Sequence, residues 1–221
     1  MSHGITPGSG PGHLSLFGYD PVKYLLGRGV LETLGIDIDL KLNEIAARGN
    51  FCTVDNNGYI TDRRANRIPT NISSNIVKEL QNIKIPGIEF KIYSVKDHRF
   101  VLIMNGDKLS PEISETDPQM LGLKPLEVRP LSNDSNYTAS MINKFLNEAK
   151  TILSPRKTAN MILLRGFSKL PNLPNFNLNY KLNACAIAAY PMYRGLSKLL
   201  GMDVLNTGAV SYTHLTLPTK A

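Results

Sequence analysis

Apolar positions change rhythm along the chain. From Tyr137 to Leu153, Met141, Phe145, Leu146, Ala149 and Ile152 keep near-helical spacing and Pro155 follows, which predicts one long helix. Beyond it, Asn160–Leu164 and Asn183–Ala189 are short apolar runs that read as buried strands, and Pro191–Leu200 reads as the helix after them, stopped by Gly201. Strand, crossover, strand, helix is the grammar of a parallel α/β sheet. Residues 43–135 alternate instead. Ile45–Val54 reads as a strand, Asp55-Asn56-Asn57-Gly58 as a hairpin turn and Tyr59–Arg64 as the returning partner. After Pro69-Thr70-Asn71 a helix runs through about Asn82, with Ile72, Ile76, Val77 and Leu80 on one side. Phe90–Val95 and Arg99–Asn105 make a second hairpin around Lys96-Asp97-His98. From Gly106 to Asn136, with Pro111, Pro118, Pro125 and Pro130, no period survives; a loop that long usually carries function or moves.

Residues 1–42 read as loop, helix, helix, loop. Asp20-Pro21 opens a helical segment with Val22, Leu25 and Leu26 on its apolar face, Gly27-Arg28-Gly29 breaks it, and Leu31, Leu34 and Ile36 form a short amphipathic turn. The fold class is therefore α/β, with an α+β unit over 43–135 inserted between α/β pieces at 1–42 and 136–209. The last twelve residues, 210–221, have no composition that would pack, resemble translated cloning sequence and are set aside.

Hydrophobic residues are 42% of the 221 and charged ones 19%, enough for a packed core. No apolar run approaches the ~18–20 residues of a membrane span, and no basic segment followed by an apolar one opens the chain. Cys52 and Cys185 lie in strand-like runs and read as buried thiols of a cytoplasmic protein. The net charge is +7, with nine basic and two acidic residues between 136 and 209. The basic residues form no run and have no interleaved aromatics, so a small phosphorylated acid accounts for them as well as a nucleic acid would.

The candidate chemistry begins at Ile5-Thr6-Pro7-Gly8-Ser9-Gly10-Pro11-Gly12-His13. Glycines let a ligand approach the backbone, the N–H groups of a following helix favour an anion, and a serine there is placed to accept a phosphoryl group. The plainer reading is a Gly-rich turn with Ser9 as N-cap. The longer stretch PGSGPGHLSLFGYDP resembles the nucleophile segment of the archaeal-type, cofactor-independent phosphoglycerate mutases of the alkaline phosphatase superfamily. ARGNFCTVD, DRRANRI, HRFVLIMNGDKLSPEISETDP, ANMILLRG and ACAIAAYPMYRGLSKLLGMDVL follow in family order, covering most of residues 3–209.

The resemblance implies a partial alkaline-phosphatase-like core with an inserted lid. It implies interconversion of 3-phosphoglycerate and 2-phosphoglycerate through a phosphoserine on Ser9, without 2,3-bisphosphoglycerate. Two divalent ions, Mn²⁺ or Mg²⁺, would activate that serine, making Ser9 both nucleophile and metal ligand. It assigns substrate binding to Arg48, Asp62, Arg63, Arg64, Arg67, His98, Arg99, Asp117, Arg165 and Arg194. Arginine forks suit a ligand carrying both phosphate and carboxylate. Arg63 and Arg64 are adjacent on the returning strand and point to opposite faces, so at most one of the two is expected to reach the ligand. His98 is either a general acid/base near neutral pH or a turn residue. His13 reads as helix packing. The family's remaining metal ligands, an aspartate before the nucleophile and an Asp/His set after GMDVL, have no counterpart here, so the chain is expected to be an inactive piece of a mutase. Alternatives are a metal-dependent phosphatase or phosphonate-type hydrolase of the same superfamily, and a non-catalytic anion-binding module.

Overall fold

A computed structural model of the chain describes residues 8–205. The elements in order are α1 (Ser9–Leu16), α2 (Arg28–Gly35), β1 (Ile45–Val54), β2 (Ile60–Asp62), α3 (Thr70–Leu80), β3 (Glu89–Ser94), β4 (Arg99–Asn105), α4 (Asn136–Leu153), β5 (Met161–Ser168), α5 (Phe176–Tyr180), β6 (Cys185–Ile187), α6 (Pro191–Leu199) and β7 (Asp203–Leu205).

Five strands form one antiparallel sheet around β1, which pairs with β4, β5 and, at its end, β2; β3 lies outside β4. One face carries the main core. Phe51, Phe100, Ile92, Leu102 and Met104 meet Ile76, Val77 and Leu80 of α3 and Ile142, Phe145 and Ala149 of α4. The helical spacing seen in the sequence is thus the sheet-facing stripe of both helices. α2 covers part of the other face, packing Val30 against Ala46 and Ile103. It comes very close: a Cβ on Gly29 would lie 2.3 Å from the Ala46 carbonyl oxygen. A third layer, α1 and α6, packs on α2 through Leu14, Leu31, Met192 and Leu196.

Three local expectations are corrected. Gly27-Arg28-Gly29 does not break a helix; Gly27 is the N-cap of α2, and Gly29 lets that helix reach β1. The segment before it is turn, because the Asp20 carboxylate accepts the Val22 N–H at 2.8 Å and so competes with helix; Val22 and Leu25 stay exposed. The strand after the long helix, β5, is antiparallel to β1 and belongs to the same sheet and core as β1–β4. An unbroken apolar run cannot reveal which kind of sheet buries it. The parallel pairing lies one step further on, between β6 and β7 across α6. The stretch 106–132 forms neither helix nor extended strand and is tied to β5, Thr116 accepting the Leu164 N–H at 2.7 Å and donating its own N–H back at 3.0 Å.

Cys185 also departs from expectation. It is exposed on β6, whereas Cys52 is buried in β1. Burial, reinforced by the charges of Asp117 and Asp62, pushes the Cys52 thiol well up. A disulfide reagent applied to the native protein is expected to titrate Cys185 alone, and Cys52 only after denaturation; rapid reaction of two thiols would refute this. No helix among the described residues is long and apolar enough to cross a membrane. The expectations for residues 1–7 and 206–221, the non-native tail included, lie outside the described residues.

Candidate anion-binding cleft

The register of the sheet assembles the site. Cross-strand partners in an antiparallel sheet project to the same side, and alternate residues along a strand share a side. Arg48 on β1 stands opposite Val101 of β4 and Arg165 of β5, while Asn50, two residues on, stands opposite Arg99. Arg48, Arg99 and Arg165 therefore rise from three adjacent strands on the face that α2 only partly covers. The uncovered remainder is a cleft of about 480 Å³. Seven arginines line it: Arg28 from the start of α2, the three from the sheet, and Arg63, Arg64 and Arg67 from the turn after β2. Asn50, Asp97, His98, Gln119 and Tyr190 complete the wall.

That turn overrides the alternation argument for Arg63 and Arg64. β2 ends at Asp62, whose carboxylate accepts the backbone N–H groups of Arg64, at 2.8 Å, and of Asn66. Ala65, Asn66 and Arg67 follow with φ of 45°, 53° and 50°. The chain coils back, and all three arginines reach the cleft. Asp62 shapes the turn and is not in the cleft wall.

The long loop supplies the acids that hold the arginines. Asp117, its side chain fully buried, accepts Arg63 Nε at 3.1 Å and Nη2 at 2.6 Å, and lies 3.5 Å from Arg165 Nη1. Burial raises its pKa, but the hydrogen bonds from Arg63 and the Gln119 N–H, with the charges of Arg63 and Arg165, outweigh it and hold the carboxyl below its ordinary range. Glu115 takes Arg165 Nε at 3.0 Å and the Gly166 N–H at 2.9 Å. Asp117, singled out as a binder from the sequence, is not in the cleft wall and instead holds Arg63 and Arg165, which are.

His98 sits buried in the turn before β4, and its pKa falls to about 4, chiefly by burial and then by the charges of Arg99, Arg48 and Arg64. That favours the neutral imidazole at neutral pH. Arg99 donates to the Tyr190 hydroxyl, with its guanidinium 5.0 Å from that ring. Arg194 is not brought to the cleft. Its Nε donates to Gly35 O at 3.3 Å and its Nη2 lies 3.5 Å from Asp37, at the end of α2.

Ser9 opens α1, and Gly8 rather than Ser9 takes the N-cap; the Ser9 side chain lies outside what the structure describes. His13, one turn later, stacks on Tyr193 at 4.7 Å between ring centroids, so it does pack. Tyr193 lines a second cavity of about 420 Å³ that shares Arg28, Arg48 and Tyr190 with the arginine cleft. Among the described residues no three His, Cys, Asp or Glu side chains come together as a metal-holding group. Residues 8–205 therefore do not supply a two-ion donor set.

Sequence reasoning left Glu32, Glu115 and Tyr190 out of the site. Arg28, between two glycines, reads from the sequence equally as a phosphate contact and as an exposed loop arginine; the structure places it in the cleft wall.

The comparisons with known proteins converge. The chain is 48% identical over 208 residues to a protein of Thermosipho melanesiensis named a probable 2,3-bisphosphoglycerate-independent phosphoglycerate mutase, a match covering 93% of this chain and 51% of that protein. The solved cofactor-independent phosphoglycerate mutase of Thermoplasma acidophilum superposes with a TM-score of 0.65 at 33% identity, over 88% of this chain and 56% of that one. A solved protein of Pyrococcus horikoshii, 23% identical, shares the fold with a TM-score of 0.67 over 91% of this chain and 48% of that one. The chain thus spans about half the length of the curated relatives it matches. A model of the 2,3-bisphosphoglycerate-independent phosphoglycerate mutases matches residues 1–158, and with the shared motifs and fold this places the chain in that family.

Proposed function

We propose that the arginine cleft is the phosphoglycerate site of a mutase that interconverts 3-phosphoglycerate and 2-phosphoglycerate, with Ser9 as the transient phosphoryl acceptor. One observation carries the reading: seven arginines from five separate segments of the chain converge on one cleft, two of them held by buried or half-buried acids. A doubly charged phosphate and a carboxylate need several guanidinium forks, whose geometry matches both groups. Retaining the glycerate while its phosphate is on the enzyme needs contacts to the carboxylate, which a plain phosphatase does not. The phosphoryl group would leave the substrate 3-oxygen for the Ser9 hydroxyl and then pass to the 2-oxygen. Each transfer breaks one P–O bond and makes another: in the first the serine proton goes to the departing 3-oxygen, and in the second the proton of the attacking 2-hydroxyl goes to the departing serine oxygen. The two divalent ions implied by the resemblance would activate the Ser9 hydroxyl, and among the described residues no three His, Cys, Asp or Glu side chains come together to hold them. In this reading the sheet with α3 and α4 is the inserted lid, running from about residue 43 to 168.

Calorimetric titration of the chain with 3-phosphoglycerate tests the binding half. Glycerol 3-phosphate, which lacks the carboxylate, is expected to bind at least tenfold more weakly, and Arg48→Ala to cost about 10–100-fold, the worth of one charge-assisted hydrogen bond. Equal affinity for the two ligands would overturn the reading. Product analysis on the longer protein tests the chemistry: 2-phosphoglycerate marks a mutase, free phosphate a hydrolase.

A further inference from the structure

Behind the arginines lies a carboxylate that the binding scheme does not use. Glu32, on α2, has a side chain with no exposed surface, and neither of its oxygens has a hydrogen-bond partner. Its Oε1 is 3.9 Å from Arg48 Nε and 3.9 Å from Arg99 Nη1. Arg48 Nε and Arg99 Nε are themselves buried without partners. Two orphan acceptors and two orphan donors thus share one pocket, within reach of attraction but outside hydrogen-bond distance. Such groups are costly to leave unmade. Glu32 stands one turn after Gly29, the residue that seats α2 on β1, so the close approach of helix and sheet delivers it there.

We propose that Glu32 is a positioning residue of this cleft: a buried counter-anion that keeps Arg48 and Arg99 side by side while the cleft is empty, and that takes up a proton when an anionic ligand occupies them. The inference rests on the cleft's being an anion site. An ionised carboxylate at this depth is tolerable only because guanidinium charge surrounds it. A bound anion on the opposite side of the same guanidiniums cancels that charge, and protonation becomes the cheaper state. Burial already raises the Glu32 pKa, against the lowering effect of Arg48, Arg99 and Arg28.

The other charged groups around α2 do not replace it. β1 presents Arg48 and β4 presents Arg99. β5 presents Arg165, which is engaged by Glu115 and Asp117. α6 brings Tyr190 through Arg99, and Arg194 and Lys198 on Asp37. His98 lines the same cleft, its pKa lowered to about 4 by burial and by the charges of Arg99, Arg48 and Arg64, and the Glu32→Gln variant separates any proton it takes up from that of Glu32. His13 lies beyond Tyr193, and the variant below separates its contribution.

Sulfate is the probe, because it has no proton to exchange between pH 5 and 8. Calorimetry of the 221-residue chain, in buffers of different ionisation heat, counts protons taken up on binding. We expect a fractional uptake that grows as pH falls, with sulfate affinity rising by up to about tenfold per pH unit, the limit for one proton. Glu32→Gln mimics the protonated state. It should abolish the uptake, flatten the pH profile and bind sulfate at neutral pH more tightly than the wild type does. If that variant does not fold, carboxyl-labelled glutamate in the wild type reads the same event, as one buried carboxyl signal moving to its protonated position when sulfate saturates. Failure of sulfate to bind would remove the anion-site reading and this inference together. Binding without proton uptake, uptake that survives in Glu32→Gln, or weaker binding by that variant would overturn this inference alone.

Discussion

Asp117→Ala is expected to lower stability by about 3 kcal/mol and to weaken 3-phosphoglycerate binding at least tenfold. Removing one partner of a buried ion pair costs about 3–5 kcal/mol, because the remaining charge is stranded; the lower end applies here because Arg63 is 30% exposed and can rehydrate. Arg63 loses its two-pronged anchor, Arg165 loses one of its two acids, and the Gln119 N–H loses its bond to Asp117 Oδ1 at 2.8 Å. The loop that carries Asp117 is otherwise attached to the sheet by the Thr116–Leu164 bonds, so the damage stays at the cleft. The sign with pH follows from the depressed pKa of the folded state. The contribution of Asp117 is fully present above its unfolded value of about 3.9 and is lost as pH falls through the lower folded value. Urea denaturation at pH 7 should separate wild type from variant, and in acid below about pH 4 the gap should close. A gap that widens in acid would show that Asp117 is not held ionised by its arginines.

What the sequence carried, and what it did not, divides along physical lines. The two hairpins and the helices α3, α4 and α6 were legible because each shows a period or a turn signature within a dozen residues. β5 was legible as a strand but not as a partner of β1, since pairing spans more than a hundred residues and leaves no local mark. The cleft was legible through family motifs as a set of arginines. Register alone would have put Arg48 and Arg165 side by side, but register is a property of the folded sheet. Arg194 stood in the same kind of motif and turned out to clamp α2, because nothing in the local sequence tells a guanidinium bound for a ligand from one bound for a helix C-terminus. Glu32 left no signal. A glutamate in an amphipathic octapeptide reads as solvated, and only the glycines on either side of α2 show how deeply that helix is sunk.

The arrangement also explains why so much positive charge can sit in one place. Arg63 and Arg165 are held by Asp117 and Glu115 from the loop, and Arg48 and Arg99 face Glu32 from α2. Arg28, Arg64 and Arg67 lie nearer the rim, where Arg64 and Arg67 are exposed to water. Each inner guanidinium is balanced from behind, so the side facing the cleft remains open to a ligand. Asp117, Glu115 and Glu32 each come from a segment distinct in sequence from the arginines they face, and cleft geometry therefore depends on how those segments pack.

That dependence makes Gly195→Val the most damaging single substitution expected in the α1/α2/α6 layers. A Cβ at position 195 would lie 1.8 Å from the Leu31 carbonyl oxygen and 3.0 Å from the Gly35 nitrogen, both backbone atoms of α2. Side chains can rotate away from an intruder; helix backbone cannot, so α2 and α6 must separate. The helices meet at a second such point, where a Cβ on Gly35 would lie 1.9 Å from the Pro191 carbonyl oxygen. Overpacking in a closed core costs about 1–3 kcal/mol where side chains can adjust and more where they cannot. A loss of about 3 kcal/mol or more is expected in urea denaturation at neutral pH. The functional effect should be larger than the distance to the ligand suggests, because α2 carries Arg28 and Glu32 while Tyr190, at the N-cap of α6, holds Arg99. Sulfate and 3-phosphoglycerate affinity should both fall. Gly12→Ala in α1 is the matching control: a Cβ there meets nothing within 4 Å, and alanine favours a helix over glycine by about 1 kcal/mol, so stability should hold or rise. If Gly195→Val left both stability and anion affinity intact, the close seating of α6 on α2, and with it the rigid back wall of the cleft, would be refuted.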